Sequence, residues 1–248
     1  MDLSHNNLSG PLTNLPIGGA NVNDEDFIEP VLYLQNNTFI EWIPRSLCKR
    51  TDLVYLDLSK NRLTGEIPKC FKNLQNQLFL RLSSNRLSGI VPSFIGHMSS
   101  LSSLNLNDNN FSGELPATFW NLSWLRVLDL GDNALCGKIP ESIREKMKSL
   151  VVFRLHNNNF TRGIPQSLCA NIYLQILDVA RNNLTGTIPH YLGELQGMVI
   201  NHTLLTFGEG TEERLIQVIK GVSLEYMNNG LLSLTWTFQE INLLETYL

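Results

Sequence analysis

A thirteen-residue pattern recurs along most of this chain and constrains its fold more than any other feature. Its clearest copy is LDLSKNRLTGEIP, from Leu56 to Pro68. Counted from the first apolar residue, successive copies are separated by 31 residues, then four times by 24, then by 25 and 24. Such a period indicates a chain built from stacked, equivalent units. The copies start at Met1, Leu32, Leu56, Leu80, Leu104, Leu128, Phe153 and Leu177.

The spacing L-x-L-x-x-N-x-L, within a period of roughly 20–29 residues, is the signature of leucine-rich repeats. Each copy predicts one coil of a solenoid, in which L-x-L forms a short strand with both leucines pointing inward. The recurrent Asn follows at an offset of five, where its amide can bond backbone groups that the corner leaves unpaired. We therefore predict a strand-dominated α/β leucine-rich-repeat solenoid, a right-handed superhelix of about eight coils with a parallel sheet on the concave face.

Three segments differ in how far they follow the repeat. Residues 1–189 carry the repeats, with an incomplete first copy and an irregular polar stretch at 13–31. Residues 190–230 form an island-like, non-repeat segment. Within it, 212–226 alternates apolar and polar residues, which predicts a strand pair, with a helix over part of it as the alternative. Residues 231–248 form a divergent C-terminal tail, which either packs over the open end of the solenoid or is disordered.

Composition excludes several classes of function. The net charge is −4 and 17% of residues are charged, so no basic field predicts nucleic-acid binding. No apolar run reaches about 18 residues, so no membrane span is predicted. The first residues, Met1–His5, have neither the basic flank nor the apolar block of a signal peptide. We therefore expect a chain that starts within a repeat and lacks both a signal peptide and a transmembrane segment.

No pattern in the sequence predicts catalysis or a cofactor. Carboxylates recur about 24 residues apart on an open face, without the enclosed pocket that acid–base catalysis needs. The sequence contains no Gly-rich phosphate loop, no nucleophile elbow and no Cys or His pair at metal-binding spacing. We expect a binding protein that is not an enzyme and that needs neither a metal nor a cofactor.

Seven Asn-x-Ser/Thr sequons, none with proline in the middle, predict N-glycosylation and favour a secretory parent protein. The repeat generates part of this set, because N-x-[ST] arises wherever Ser or Thr follows the second apolar residue. Accidental sequons in an Asn-rich repeat are therefore the alternative. The sequon asparagines are Asn7, Asn36, Asn110, Asn121, Asn159, Asn183 and Asn201.

The residue between the two strand leucines faces the concave side in every coil. At this position the sign of the charge alternates between coils, so that Asp57 neighbours Arg81. Arg154 lies between Asp129 and Asp178. Either these residues form a salt-bridge ladder worth a few tenths to about one kcal/mol per pair, or they form a docking strip for a protein or peptide. The candidate ligand-binding residues on this face are Tyr33, Tyr55, Asp57, Arg81, Asn105, Arg126, Asp129, Arg154, His156, Asp178 and Arg181.

Two of the four cysteines predict a disulfide. Cys48 and Cys70 are 22 residues apart in a 24-residue repeat, which places them on neighbouring coils and displaced by only two positions. Coils stack at about 4.7–4.9 Å, which is compatible with the Cα separation of about 4.4–6.8 Å in disulfides. We predict a Cys48–Cys70 bridge if the chain is oxidised. The equivalent partner position of Cys169 is Tyr191, and Cys136 is out of phase with Cys169, so neither has a predicted partner.

The form L-x-x-L-D-L-S-x-N-x-L-x-G-x-I-P, at 53–68, 125–140 and 174–189, resembles the plant-specific extracellular class of leucine-rich repeats. Finer motifs resemble plant receptor-like proteins, cell-surface receptors without a kinase. Leu47-Cys48 followed by Ile67-Pro68-Lys69-Cys70-Phe71 looks like one recurring block. Lys220-Gly221 followed by Glu225-Tyr226 is similar to the K-G-x-x-x-E-Y segment of their non-repeat island. The resemblance covers residues 1 to about 234 and is strongest to the ethylene-inducing-xylanase receptor type.

The resemblance implies an ectodomain fragment of a plant immune receptor that binds a microbial protein or peptide on the concave face. It also implies a receptor kinase and a co-receptor kinase as partners, and the outer surface of the plasma membrane as the parent family's location. Residues 231–248 lack the further repeats, acidic stretch and transmembrane helix that follow the family's island, which leaves the location of this chain open. Two alternatives stand. One is a secreted inhibitor similar to polygalacturonase inhibitors, against which the island-like Lys220–Tyr226 argues, and the other is a soluble adaptor or decoy.

Overall fold

Stacked short strands form the concave wall of the molecule, as the L-x-L pattern predicts. The computed structural model describes residues 1–14, 30–190 and 192, and the backbone of 215–219, 222–226 and 235–237. Strands of neighbouring coils are parallel and pair at equivalent repeat positions, as Leu56 does with Leu80. This concave sheet contains β2 (Val31–Tyr33), β4 (Tyr55–Asp57), β6 (Phe79–Arg81), β8 (Ser103–Asn105), β10 (Val127–Asp129), β12 (Val152–Arg154), β14 (Ile176–Asp178) and β18 (Thr235–Thr237).

A second parallel sheet, which the repeat pattern does not predict, forms just after the Asn corner of each coil. In its third strand Leu63 is buried, whereas Arg62 and Thr64 on either side are exposed. The segment thus has the period of two that a strand with one buried face requires. This lateral sheet contains β1 (Ser9–Pro11), β3 (Thr38–Trp42), β5 (Arg62–Gly65), β7 (Arg86–Gly89), β9 (Asn110–Glu114), β11 (Ala134–Lys138), β13 (Asn159–Arg162) and β15 (Asn183–Leu184).

Short helices form the convex side, and most begin directly after the repeat proline. Proline suits this place because its fixed φ is compatible with a helix start and its missing N–H is not needed there. Each helix turns at least one apolar side chain inward, such as Phe71 or Phe119, both fully buried. The helices are Leu12–Asn14, Arg45–Lys49, Lys69–Asn73, Ser93–His97, Ala117–Asn121 and Gln166–Ala170, which are 3-10, and Ile143–Lys146, which is α.

The core is a continuous strip that runs along the stack. Both strand leucines of a coil are fully buried, as Leu104 and Leu106 are in the fifth coil. Leucines from the lateral strands and apolar residues from the helices complete it, and one cluster extends from Leu12 to Leu192. Each coil therefore buries its apolar face only against its two neighbours, as expected for a solenoid.

The recurrent Asn bridges neighbouring coils, as predicted. Asn109 donates through Nδ2 to the carbonyl oxygens of Leu82, at 3.0 Å, and of Leu106, at 3.1 Å. One of the two Nδ2 hydrogens is shared with Asn107 O, and Oδ1 accepts from the backbone N–H of Leu87 at 2.9 Å. The same bonding recurs at Asn61, Asn85, Asn133, Asn158 and Asn182, so a buried ladder of amides connects the stack.

The residue before each ladder Asn has a left-handed backbone, with φ between 50° and 56°. This conformation reverses the chain at the end of the concave strand, and it costs a residue with a Cβ about 1 kcal/mol or more. The corner thereby places eight side chains at equivalent positions along one edge of the concave sheet. They are His5, Asn36, Lys60, Ser84, Asp108, Asp132, Asn157 and Arg181.

The C-terminal part of the chain adds two features to the repeats. Strands β16 (Leu215–Ile219) and β17 (Val222–Tyr226) form an antiparallel pair, one of the two predicted alternatives. Strand β18 pairs in parallel with β14, so that Trp236 lies opposite Leu177 and extends the concave sheet by one strand. The other residues of the predicted island-like segment and tail lie outside the described residues, except His190 and Leu192, as do 15–29 of the irregular stretch.

The structure joins Cys48 to Cys70, whose Cα atoms are 5.7 Å apart. The bond links the helices Arg45–Lys49 and Lys69–Asn73 of adjacent coils. Cys136 and Cys169 are free and half-buried, and burial raises the pKa of the Cys169 thiol. One disulfide therefore fastens the convex side near the start of the solenoid.

Candidate functional site

The residues between the two leucines of L-x-L, which end the concave strands, form one aligned row that we call the central column. Parallel pairing places each directly beside its equivalent in the next coil, as Asp57 lies beside Arg81 and Asp129 beside Arg154. The central column consists of Asp2, Tyr33, Asp57, Arg81, Asn105, Asp129, Arg154 and Asp178. It contains seven of the eleven candidate ligand-binding residues.

Four charges of the central column form two ion pairs with one another. Arg81 Nη1 lies 3.9 Å from Asp57 Oδ2, and Arg154 Nη1 lies 3.5 Å from Asp129 Oδ2. Arg154 is only 2% exposed, and Asp57 and Asp129 are each 4% exposed. The alternation in the sequence thus forms a buried ion-pair ladder, in which each charge compensates a neighbour that has lost its water.

The acidic residues of the central column also have a structural role that the repeat pattern does not reveal. Asp57 Oδ1 accepts hydrogen bonds from Ser59 N at 2.9 Å and Ser59 Oγ at 2.6 Å. Asp129 and Asp178 likewise accept from the backbone N–H two residues later. Such Asx turns pair backbone donors as the strand ends. Burial raises the pKa of the Asp57 carboxyl, although Arg81 and Ser59 favour its charged form.

An apolar row lies beside the central column on the same face. It consists of the residue before the first strand leucine in six coils, whereas the polar Ser103 occupies this position in the coil that starts at Leu104. Tyr55 stacks on Phe79 with ring centroids 5.1 Å apart, and Tyr33 of the central column lies 4.8 Å from Tyr55. The guanidinium of Arg81 lies 5.6 Å from the centroid of the Tyr55 ring. Apart from Tyr55, these residues were not predicted as site residues, although the repetition of apolar residues before L-x-L was visible: Val31, Tyr55, Phe79, Val127, Val152 and Ile176.

His156 contacts carboxylates of the coils on both sides of its own. Its Nε2 is 2.9 Å from Asp132 Oδ2, and its Nδ1 is 3.3 Å from Asp178 Oδ2. The ring occupies the space where Gly131, in the preceding coil, lacks a side chain. Burial disfavours protonation of His156, but the bond to Asp132 and the charges of Asp178 and Asp129 outweigh it and raise the pKa of His156 above 6.5.

These contacts predict that His156 stabilises the fold in a pH-dependent way. Because its folded-state pKa lies above the ordinary value, its contribution is fully present below about pH 6.5 and is lost as the pH rises through the folded-state pKa. The bond from His156 holds the pKa of Asp132 below 3.8, so this partner stays charged in that range. We expect His156→Gln to lower the free energy of unfolding by about 1 kcal/mol near pH 5.5 and by less near pH 8.5 in urea titrations.

The control for this titration is His97→Gln, in an exposed residue of a convex helix. Its effect should be small and the same near pH 5.5 and pH 8.5. A loss for His156→Gln that does not change with pH would show that the imidazole acts only by packing against Gly131.

The two remaining arginines of the candidate set lie at the margins of the concave sheet. Arg126 is half-buried and precedes strand β10 by one residue. Arg181 is exposed in the left-handed corner, at the position equivalent to Asp132. The structure thus brings all eleven predicted residues to one face, but it divides them into a buried set and a more accessible set, and the latter includes Arg81 and His156, which also form ion pairs. The accessible set comprises Tyr33, Arg81, Asn105, Arg126, His156 and Arg181.

Six of the seven sequon asparagines are exposed. Asn110, Asn159 and Asn183 begin strands of the lateral sheet, and Asn7 precedes its first strand. Asn36 lies in a corner, and Asn121 ends a convex helix. Asn201 lies outside the described residues. Glycans on the sites in and beside the lateral sheet would cover that sheet and leave the concave sheet accessible.

The described residues show neither a metal cluster nor a membrane helix. Within 1–14 and 30–192 without 191, no three His, Cys, Asp or Glu side chains are grouped as metal ligands would be. In the same part of the chain, no helix has both the length and the apolar composition needed to cross a bilayer.

Sequence models of the leucine-rich repeat match residues 79–135 and residues 52–74, 149–171 and 173–195. Together these segments make up about half of the chain. No protein with a curated description matches it. The repeat is thus recognised independently of the geometry of the two sheets.

Several solved structures share the fold. PEPR1 with AtPEP1 is 33% identical, with a TM-score of 0.68 over 78% of this chain and 26% of that one. The plant peptide hormone receptor RGFR1 with RGF2 is 27% identical, with a TM-score of 0.69 over 79% and 30%. The Arabidopsis receptor kinase HAESA, with the peptide hormone IDA and the co-receptor SERK1, is 32% identical, with a TM-score of 0.62 over 79% and 36%.

The chain spans between 26% and 36% of the length of these three proteins. Its strands, its ladder asparagines and its prolines recur at equivalent positions of the repeat. The chain is a member of the leucine-rich-repeat family, and its solenoid is similar to part of these plant receptors.

Proposed function

We propose that this chain is a ligand-recognition segment of a plant cell-surface receptor ectodomain, and that it binds a protein or peptide on its concave sheet. The similarity to peptide-bound plant receptors, at 27–33% identity over 78–79% of this chain, carries the proposal. Those structures contain AtPEP1, RGF2 and IDA respectively. A parallel sheet that presents aromatic, arginine and amide side chains in fixed rows supports it, because such residues dominate protein recognition.

The geometry of the ion-pair ladder indicates which part of the concave face would contact a ligand. Asp57, Asp129 and Arg154 are buried, so they keep the strands aligned instead of reaching a ligand. Arg126 and Arg181 lie at opposite margins of the sheet and are more accessible. We assign ligand contact to the accessible set, in which the Tyr33 ring packs against the buried ring of Tyr55.

The finer part of the proposal is a role in immunity, with a receptor kinase and a co-receptor kinase as partners. It is supported by the resemblance of Lys220–Tyr226 and of the Cys48 and Cys70 blocks to receptor-like proteins of the ethylene-inducing-xylanase receptor type. HAESA, one of the similar proteins, was solved together with a peptide hormone and a co-receptor. The corresponding ligand is a secreted microbial protein, and glycosylation at the exposed sequons would accompany an extracellular location.

Binding of an ethylene-inducing xylanase to the secreted chain, measured by surface plasmon resonance, tests the proposal. We expect the double charge reversal R126E/R181E to weaken binding at least about tenfold, because two marginal contacts would become repulsive. The matched control is R62E/R86E, which reverses two exposed arginines of the lateral sheet. The control should change the affinity by less than about twofold.

Three outcomes separate the parts of the proposal. A chain that fails to bind the xylanase is not a receptor of that type. Equal losses in both double variants would show a general charge effect, which removes the concave sheet as the binding surface. Binding of the xylanase without ligand-dependent association with a co-receptor kinase ectodomain would remove the proposed partnership.

A further inference from the structure

Four exposed cations lie close together on the convex side near the start of the solenoid. Arg45 and Lys49 are at the two ends of the helix Arg45–Lys49. Lys69 and Lys72 are on the helix Lys69–Asn73 of the next coil. We call these four residues the convex basic patch.

The solenoid fixes the two helices of the patch side by side. Arg45 and Lys69 are 24 residues apart, one repeat, so they occupy equivalent positions at the first residues of their helices. The Cys48–Cys70 bond joins the same two helices, with the Cα atoms 5.7 Å apart. The charges are therefore carried in two rows on a cross-linked platform, and the rows are separated by about one coil.

Acidic residues do not neutralise the patch locally. Residues 45–73 contain seven Lys or Arg and only three Asp or Glu, in a chain whose net charge is −4. Of these three acids, Asp52 accepts from Arg50 at 2.7 Å and Asp57 is buried beside Arg81. The third, Glu66, follows lateral strand β5 and lies against Gly89. No ion pair within the described part of the chain includes Arg45, Lys49, Lys69 or Lys72.

The concentration of cations is specific to these two coils. The helices Ala117–Asn121 and Gln166–Ala170 contain no charged residue, and Ser93–His97 contains only His97. Ile143–Lys146 combines two cations with Glu145. A repeat that merely needed solubility on its convex side would not restrict unpaired cations to two neighbouring helices.

The surroundings of the patch indicate the chemistry of its partner. The two helices of the patch include no exposed large apolar or aromatic side chain, and the exposed Trp42, three residues before Arg45, belongs to lateral strand β3. The patch therefore lacks both the stacking platforms that single-stranded nucleic acids use and the apolar anchors that insert into membranes. Rows of cations at a fixed spacing on an outward surface fit a linear polymer whose anionic groups follow one another closely.

We propose that the convex basic patch binds an acidic polysaccharide, a linear sugar polymer carrying carboxylate groups, which lies across the two coils. The exposed sequons support this class of polymer, since they favour the secretory pathway and the extracellular space to which it leads. The affinity depends on salt, because exposed charge pairs are screened within about 8 Å at physiological ionic strength. The patch and the concave sheet lie on opposite sides of the coil, so the polymer and a concave-face ligand would bind independently.

The experiment measures binding of alginate by isothermal titration calorimetry at low and at physiological salt. We expect the native chain to bind at low salt, with a weaker affinity at physiological salt. The variant R45Q/K49Q/K69Q/K72Q should weaken binding at low salt at least about tenfold. A matched control, R62Q/R86Q/R144Q/K148Q, removes the same total charge from exposed residues elsewhere and should change the affinity by less than about threefold. Circular dichroism melting verifies that both variants are folded.

Several results would overturn the proposal. If alginate gives the native chain neither heat in calorimetry nor a mobility change in affinity electrophoresis at low salt, the patch has no such partner. Equal losses in the two variants would reduce the effect to net charge. Binding of neutral dextran as tight as that of alginate would remove the role of carboxylates. Tighter binding of a single-stranded RNA of equal charge would assign the patch to nucleic acid.

Discussion

Replacing Asn109 with alanine is expected to lower the free energy of unfolding by about 2–4 kcal/mol, as much as truncating a buried leucine costs. The Asn109 amide makes four hydrogen bonds in a site that is 8% exposed. Alanine would remove the side-chain partner of Leu87 N–H and of Asn107 O in a region with little access to water. Because these bonds connect two coils, the loss weakens the interface between repeats as well as the coil itself. Urea unfolding followed by circular dichroism measures it.

Two further variants separate hydrogen bonding from loss of side-chain volume. Asn110→Ala removes the neighbouring amide, which is exposed and makes no side-chain hydrogen bond within the described residues. This variant should change the free energy of unfolding by less than about 0.5 kcal/mol. Asn109→Asp keeps the shape and the acceptor but directs a carboxylate at carbonyl oxygens, so it should destabilise at least as much as alanine. Comparable losses for Asn109→Ala and Asn110→Ala would contradict a role for the ladder.

The asparagine ladder belongs to the part of the fold that the sequence alone predicts. Asn recurs at a fixed offset from L-x-L, and its chemistry allows few other uses at a tight corner between stacked strands. The concave sheet follows from the same pattern. Residues that are apolar at alternate positions of a strand, in every coil, must face a shared core. These features repeat about eight times, so that a substitution in one coil, such as Phe153 for leucine, does not hide them.

The lateral sheet was missed because its signal is ambiguous within a single coil. From sequence, a segment such as Leu63-Thr64-Gly65 is interpreted as a turn, because glycine commonly marks a turn. In the structure, Gly65 does adopt a positive φ of 80°, but the segment is a strand. Its backbone groups pair with the next coil, which is a long-range partner that no local residue type specifies. Strand β18 was missed for another reason: Trp236 replaces the leucine, and no Asn follows at the repeat offset.

The sequence predicted where the candidate site lies, but it did not predict which of its side chains are buried or what they contact. Periodicity placed Asp57, Asp129 and Arg154 on the concave side, where the structure has them. It could not show that the carboxylates of Asp57 and Asp129 accept from the backbone two residues later, that these side chains are buried, or whether the charges form an ion-pair ladder or a docking strip. Those properties depend on contacts between coils, whereas the repeat pattern describes each coil separately. For function, this means that accessible residues at the margins of the concave sheet, such as Arg181, are better candidates for ligand contact than the buried charges of the central column.

Gly96→Ala is expected to destabilise the chain by about 3 kcal/mol or more. Gly96 lies in the convex helix Ser93–His97, which packs against the helix Ala117–Asn121 of the next coil. A Cβ at this position would overlap the carbonyl group of Thr118 and would lie 2.6 Å from Phe119 N. These are backbone atoms, which cannot rotate away as a flexible side chain could, so the two coils would have to separate. The loss should appear in the free energy of unfolding from urea titration.

The contrasting substitution is Gly163→Ala, in the coil that starts at Phe153. Its added Cβ would be 3.5 Å from Thr185 O, an ordinary contact, and its backbone does not require a positive φ. Alanine there should leave the free energy of unfolding unchanged or raise it by up to about 1 kcal/mol, since it restricts the unfolded chain. If both substitutions had the same small effect, the coils would be able to shift apart at little cost, and the close approach at Gly96 would not limit their spacing. A large loss at Gly96 alone would show that the convex helices fix the distance at which the concave strands, and therefore the rows of the candidate site, are held.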